Sequence, residues 1–310
     1  MKPLEPQIDF AVGGQAVIEG VMMRSPHFYT VSVRSPEGEL KMKQEKFVSL
    51  TSHWVLLRLP FIRGMVQLVE SMMIGYRSLS FSNAVFVGQE EEVQKGWVRV
   101  LFAIFGGLYV LFTLCVTLFL LKFLPLWVAE QASNAWPVVK EHYLLFNAID
   151  GLTKISIFLV YISAISLLKD IARVFQYHGA EHKSIWTYEK GLELTVANAR
   201  KQTRFHPRCG TSFIFLVILT SVLVYTVVPP NDNFWLLLAS RIAVIPFIAG
   251  ASYEVLKLSA KYQNFAVVRA LIAPGLFLQR LTTREPDDDQ LEVALHSLKE
   301  SLAIEKLPVP

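Results

Sequence analysis

The sequence predicts a mainly α-helical membrane protein, with about four transmembrane helices, a small β-containing N-terminal region and a C-terminal amphipathic helix. Two observations support this fold class. The 310-residue chain is 53% hydrophobic, and its mean hydropathy is +0.39, which soluble domains rarely reach. Several long apolar runs also approach the roughly 20 residues that a helix needs to cross a bilayer.

The N-terminal region, residues 1–53, is predicted to contain β-structure. "YTVSVRSPEGELKMKQEKF" alternates polar and apolar residues on both sides of "SPEGE", which indicates a β-hairpin. "GGQAVIEGVMMR" before it suits one strand that is entered through a glycine turn. The opening "MKPLEPQIDF" lacks a long apolar run, so we expect no cleavable signal peptide.

Residues 54–80 mix apolar side chains with Arg58, Arg63, Glu70 and Arg77. This pattern favours an amphipathic helix that lies at the membrane interface, with a re-entrant segment as the alternative.

Four stretches are predicted to span the bilayer. They are residues 97–123, 146–168, 211–228 and 234–258. The fourth is interrupted by Pro246. Asp150 and Lys154 lie near the start of the second, and Arg241 lies near the outer end of the fourth. Arg241 is expected to extend its guanidinium to the membrane surface.

The basic residues predict the orientation. The first 97 residues hold ten Lys and Arg and the segment 169–210 holds eight. By contrast, the end of the first span and the connection after it hold two, Lys122 and Lys140, and the connection 229–233 holds none. We therefore expect both termini and the segment 169–210 to face the cytoplasm, in a multi-pass protein of the cell (inner) membrane. The basic residues follow the membrane rule and form no single patch, so the expected partner is the lipid bilayer and no nucleic acid.

The C-terminal region, residues 259–310, is predicted to be helical. Asp287 followed by Gln290 three residues later is typical of a capping box. The helix that follows would present Leu291, Leu295, Leu298 and Leu302 on one face.

"YHGAEHKSIW" contains two histidines four residues apart. In a helix His178, Glu181 and His182 would lie on one side, because positions i, i+3 and i+4 are neighbours. H-x-x-E-H is also the inverted zincin spacing, in which two imidazoles hold zinc and the glutamate activates water.

"HPRCG" adds His206 and Cys209 within 32 residues of His178. Together the four side chains would form a His3Cys set that suits Zn²⁺. A set with all four ligands bound is closed and structural, whereas a catalytic site keeps one position open and needs a base such as Glu181. In a second possible set, Glu254 joins His178 and His182. A third interpretation is that these side chains make ordinary hydrogen bonds without any metal.

The segment "GGQAVIEGVMMRSP" places Gln15, Glu19 and Arg24 among small and apolar residues. They are candidate pocket residues. The segment lacks the glycine spacing of a nucleotide-binding loop, so a partly buried ion pair on a strand is the competing interpretation.

The segments "GGQAVIEGVMMRSP", "YHGAEHKSIWTYEKG", "HPRCGTSF" and "LTTREPDDDQLEVAL" resemble those of the YqhQ family, bacterial multi-pass membrane proteins of uncharacterised function that are commonly labelled predicted metal-dependent enzymes. The resemblance covers nearly the whole chain. The family's motif residues would correspond here to Gly14, Gln15, Glu19, Gly20, Arg24, His178, Glu181, His182, His206, Cys209 and Glu254.

Two functions are compatible with this sequence. The first is a membrane-embedded, zinc-dependent hydrolase with Glu181 as the base. The second is a non-enzymatic assembly, regulatory or transport factor whose cytoplasmic loop is braced by structural zinc. In both, the predicted topology brings the N-terminal glycine motif, the His/Cys segment and "TTREPDD" to one face of the membrane.

Overall fold

The structure is a computed structural model that describes residues 12–52, 54–88, 97–262 and 265–305, with the side chains of 97–103 and 260–261 left out. The outer ends of the predicted terminal regions, residues 1–11 and 306–310, lie outside the described residues. The α-helices are α1 (Ile62–Val87), α2 (Trp97–Leu118), α3 (Leu124–Ala135), α4 (Pro137–Glu141), α5 (Tyr143–Ile165), α6 (Lys169–Glu189), α7 (Val196–Arg200), α8 (Gly210–Val227), α9 (Phe234–Ala243), α10 (Ile245–Lys261), α11 (Ala266–Thr282) and α12 (Asp288–Glu305).

One four-stranded antiparallel sheet contains β1 (Gly13–Val17), β2 (Gly20–Arg24), β3 (Phe28–Arg34) and β4 (Leu40–Lys46), in that order. The predicted hairpin is β3–β4 and is confirmed, with Arg34 opposite Leu40. The single strand predicted for "GGQAVIEGVMMR" is wrong, because the segment forms the hairpin β1–β2. Its turn consists of Ile18 and Glu19, and Glu19 adopts a φ of 51°.

Residues 54–80 do not form one helix. A short 3₁₀ turn, Val55–Arg58, is separated from α1 by Pro60 and by Phe61, which adopts a φ of 68°. Proline restricts the residues around it, so the chain redirects before α1 begins. α1 then packs on α10 and on β3 and leaves Met72 and Tyr76 exposed on its other face.

Three helical segments are long and apolar enough to cross a membrane: Ile104–Ala135, Tyr143–Ile165 and Gly210–Val227. α9 and α10, which meet at a 43° bend, could form a fourth span. The bend coincides with Pro246, as predicted. The first helical segment differs from its prediction, since a π-helical stretch, Phe119–Phe123, carries the helix beyond residue 123 into α3.

The sheet, α6, α7 and α12 pack into one polar unit beside the apolar helices. Its capping box is confirmed: the Gln290 backbone N–H donates to Asp287 Oδ1 at 2.8 Å, and the Asp287 N–H donates to Gln290 Oε1 at 3.0 Å. The predicted apolar face of α12 is buried against α6 and the sheet, and comprises Leu291, Leu295, Leu298 and Leu302.

Truncating this face is expected to destabilise the polar unit. Leu298→Ala removes a fully buried side chain, which should cost about 2–5 kcal/mol and lower Tm by roughly 5–15 °C. Thermal unfolding in mild detergent measures the shift. Lys299→Ala, at an exposed position of the same helix, is the control. Equal Tm values for the two variants would contradict the packing of α12 described above.

Candidate metal centre

α6 carries the H-x-x-E-H motif in helical conformation, as predicted, so His178, Glu181 and His182 share one side of the helix. The motif requires a glycine at position 179 because the segment that follows α11 packs against α6 there. A Cβ at Gly179 would overlap the backbone carbonyl oxygen of Arg284. The "TTREP" segment therefore lies directly on the motif, which agrees with the predicted convergence.

His178, His182 and Cys209 form what we call the His/Cys group. One ligand atom from each lies within 4.8 Å of the others, and no further set of this kind occurs among the residues that the structure describes. The His178 Nε2 to Cys209 Sγ distance is 3.1 Å. Cys209 is the N-cap of α8, and its Sγ accepts a hydrogen bond from the Thr211 N–H. The loop after α7 thus delivers the thiol to the face of α6.

Both histidines of this group are oriented by a hydrogen bond from Nδ1, the ring nitrogen that faces away from Cys209. His178 Nδ1 donates to the carbonyl oxygen of Thr282 at 2.9 Å, and His182 Nδ1 donates to that of Arg204 at 2.6 Å. A carbonyl oxygen can only accept, so each Nδ1 carries a hydrogen and Nε2 is the ring nitrogen left for a metal ion, which would replace any proton there. Metal-binding histidines are typically held in this manner.

His206 lies beside the group but outside it. Its ring centroid is 5.6 Å from that of His182. Its Nδ1 accepts a hydrogen bond from the Arg208 N–H at 3.3 Å, and its Nε2 faces the Glu189 carboxylate at 3.4 Å. Burial, followed by the charge of His182, lowers the pKa of His206 to about 4. Both ring nitrogens are therefore engaged, and the structure gathers three of the four predicted ligands.

Glu181 is buried next to the group, with Oε2 3.9 Å from His178 Nε2. Burial raises the pKa of its carboxyl, and the neighbouring histidines oppose that rise. The Glu181 side chain packs against β1, where residue 14 has no side chain. A Cβ at Gly14 would lie 2.7 Å from Glu181 Cγ and 2.9 Å from the Met22 carbonyl oxygen. The N-terminal glycine motif therefore contacts the H-x-x-E-H motif directly.

Gly14→Ala is expected to displace Glu181. The Cβ cannot be accommodated unless the carboxylate side chain moves or β1 shifts from α6, because backbone lies on its other side. The Glu181 carboxylate should then be shifted from its position beside the histidines in a crystal structure or cryo-EM map of the variant. Gly13→Ala is the matched control, since a Cβ there meets no atom within 4 Å. An unmoved Glu181 in Gly14→Ala would contradict this close approach.

The group favours a thiolate. Burial raises the pKa of the Cys209 thiol, but the charges and hydrogen bonds of His178 and His182 outweigh burial and hold this pKa well below its usual range. Burial would lower the pKa of His178, yet Cys209 and Glu181 raise it to about 9. The thiolate is the form of cysteine that binds metal.

The pattern of a family of proteins of unknown function, DUF1385, matches residues 59–304. This chain belongs to the DUF1385 family. The uncharacterized protein YqhQ of Bacillus subtilis (strain 168) is 37% identical over 310 residues, covering 96% of this chain and 94% of that protein, which confirms the resemblance predicted from the motifs. No solved structure matches the chain.

The DUF1385 match includes the His/Cys group and Glu181, whereas Gly14 precedes it. Glu254, the alternative ligand, also falls inside the match but is not part of this group. Its carboxylate forms a two-pronged ion pair with Arg63, with N–O distances of 2.7 and 2.5 Å. That pair joins α10 to the start of α1.

The three candidate pocket residues of this DUF1385 chain are not part of the group. Glu19 pairs with Arg173 of α6, with one N–O distance of 2.6 Å. Gln15 packs on α1, where a Cβ at Gly75 would lie 2.5 Å from its Oε1. Arg24 stacks on Phe47, 4.3 Å from the ring centroid. Glu19 and Gln15 thereby join the sheet to α6 and α1.

Sequence reasoning did not identify the groups that hold the ligands in place. Gln279, fully buried in α11, donates to the His206 carbonyl oxygen at 2.7 Å and accepts from the His206 N–H at 2.8 Å. A lone glutamine in an apolar helix was the available signal. The carbonyl oxygens of Arg204 and Thr282 had no signal, because every residue has a carbonyl group.

Proposed function

We propose that this membrane-associated protein is a zinc-dependent hydrolase, with His178, His182 and Cys209 as ligands and Glu181 as the base. The observation that carries the proposal is the pair of Nδ1–carbonyl hydrogen bonds, which turn both Nε2 atoms toward the Cys209 sulfur. Two imidazoles and a thiolate are donors that suit Zn²⁺.

The number of available ligands favours a catalytic zinc site over a structural one. Structural zinc sites have four protein ligands, whereas catalytic sites have three and leave a position for water or substrate. Here the fourth candidate, His206, is engaged by Arg208 and Glu189. When bound, zinc would supply Lewis-acid polarisation of water and substrate. Glu181 would accept the proton of the attacking water and later return it to the leaving group.

A structural zinc site in a non-enzymatic membrane factor is the second candidate. It is favoured by the position of His206, whose ring lies close to that of His182 in the same loop that supplies Cys209. Rotation of His206 away from Glu189 would complete a closed His3Cys set.

X-ray absorption of the protein purified in mild detergent, combined with elemental analysis, tests the proposal. Zinc with one sulfur, two imidazoles counted from their multiple scattering, and at least one further nitrogen or oxygen neighbour supports the open three-ligand site. One sulfur with three imidazoles supports the closed site and a structural role. Absence of zinc from protein handled without chelators would overturn both.

The distribution of Lys and Arg supports a cytoplasmic position for both termini and for the candidate metal centre, with the bilayer as partner. Maleimide labelling in intact cells tests it. In a chain without its native cysteines, Lys299→Cys should be protected from an impermeant reagent and Lys140→Cys should react. The reverse pattern would invert the topology.

A further inference from the structure

A second group of ionisable side chains lies far from the candidate metal centre. Cys209 precedes the first residue of α8, and Tyr225 lies 16 residues later, so the two are about 24 Å apart along the helix axis. Around Tyr225 are Lys122, Asp150, Lys154 and Arg241, and these five residues are called the buried charge cluster. It lies among helices that could span a membrane.

Asp150 is at the centre of the cluster and binds two cations. Lys154 Nζ lies 2.5 Å and Arg241 Nη1 lies 2.9 Å from the same atom, Asp150 Oδ2. Arg241 Nη2 donates to Asn147 Oδ1 at 2.5 Å. Arg241 is only 1% exposed, so the expectation that it extends to the membrane surface is wrong. Asp150 and Asn147 hold its guanidinium inside instead.

Lys122 adds a third cation to the cluster. It belongs to the π-helical stretch Phe119–Phe123, and π-helical turns are frequent at functional sites. Its Nζ donates to the Tyr225 hydroxyl at 2.8 Å. Lys154 Nζ and Arg241 Cζ lie 4.7 and 4.5 Å from the Tyr225 ring centroid. Three cations therefore surround one phenol ring.

The charges of the cluster do not balance. Its three cations face one carboxylate, that of Asp150, and no other acidic side chain is paired with them in the part of the chain that the structure describes. Arg241 Nε and Asp150 Oδ1 are buried and have no hydrogen-bond partner among the described residues. Unpaired charge in an apolar interior is costly, and arginine cannot lose its proton there. Such groups call for a bound ion or water.

We propose that the buried charge cluster binds a phosphate group, from a lipid headgroup or from free phosphate. A phosphate carrying one or two negative charges would balance the excess positive charge. Arg241 would contribute its unpartnered Nε–H and Lys122 a point charge, and both side chains are typical of phosphate recognition. Asp150 positions Lys154 and Arg241 by holding both through Oδ2. The site is independent of the metal proposal.

The test uses the full chain, delipidated in maltoside detergent, which contains no phosphorus. Inorganic phosphate is added at constant ionic strength, and phosphatidylglycerol is added separately with diacylglycerol as its phosphate-free control. Tm and equilibrium binding of radiolabelled phosphate are the readouts. Lys122→Gln, which can still donate to Tyr225, should weaken the effect about tenfold or more, the loss expected for one charge-assisted hydrogen bond. Lys140→Gln, at an exposed position in α4, should behave as wild type.

Each outcome has a defined meaning. Stabilisation by inorganic phosphate supports a soluble ligand, and stabilisation by phosphatidylglycerol but not diacylglycerol supports a lipid headgroup. The proposal is overturned if neither probe raises Tm and no labelled phosphate binds. It is also overturned if Lys122→Gln and wild type respond equally to the same probe.

Discussion

Cys209→Ser is expected to weaken zinc binding by more than about a hundredfold, because loss of an outer-shell partner alone typically costs about 10–100-fold. The change removes the thiolate, which is the strongest donor of the His/Cys group. Zinc content after purification, followed by competition with a chromogenic chelator, measures the loss. His182→Ala should have an effect of the same size, since it removes one of the two oriented Nε2 donors.

Two further variants serve as controls for the zinc measurement. Cys115→Ser, at an exposed position of α2, removes the other cysteine and should leave zinc content unchanged. His206→Ala should also retain zinc, because the ring nitrogens of His206 are engaged by Arg208 and Glu189. Loss of zinc in His206→Ala would instead indicate the closed His3Cys site and a bracing role.

Glu181→Gln is expected to reduce hydrolysis by about 10²–10⁴-fold, the usual contribution of a general base, with zinc content unchanged. Glutamine has nearly the same shape as glutamate and fits the space beside Gly14, but it cannot accept the proton of water. The assay is turnover of a panel of peptide, ester and phosphoester substrates in detergent and in liposomes.

Glu193→Gln, at an exposed position after α6, is the matched carboxylate control for that assay. Full activity in Glu181→Gln would remove the base from the proposal. A wild-type protein that retains zinc yet hydrolyses no member of the panel would favour the structural brace.

Parts of this fold could be predicted from local sequence patterns. The capping pair Asp287 and Gln290 and the leucines of α12 depend on spacings of three and four residues, which are sufficient to predict a helix and its buried face. The β3–β4 hairpin followed from alternation around a turn-rich segment. The H-x-x-E-H motif was informative for the same reason, since one helix fixes its geometry.

Other features depend on contacts between distant segments. The turn at Ile18 and Glu19 lacks the Asn-Gly signal typical of two-residue hairpins, so the strand pair β1–β2 appeared as one strand. His206 appeared to be a ligand because the competing Glu189 lies on another element. Arg241 appeared to be near a surface because its partners on α5 were unknown. In each case a tertiary partner decided the outcome.

The hydrogen bond from His178 to the Thr282 carbonyl has a consequence for biogenesis. Thr282 follows Cys209 by 73 residues, so a ribosome delivers every ligand of the group well before the carbonyl that orients His178. A nascent chain that ends before α11 contains all three side chains of the His/Cys group but lacks the carbonyl that orients His178. We therefore expect metal uptake to be a late event in maturation, and a chain truncated before α11 to accumulate in the metal-free form.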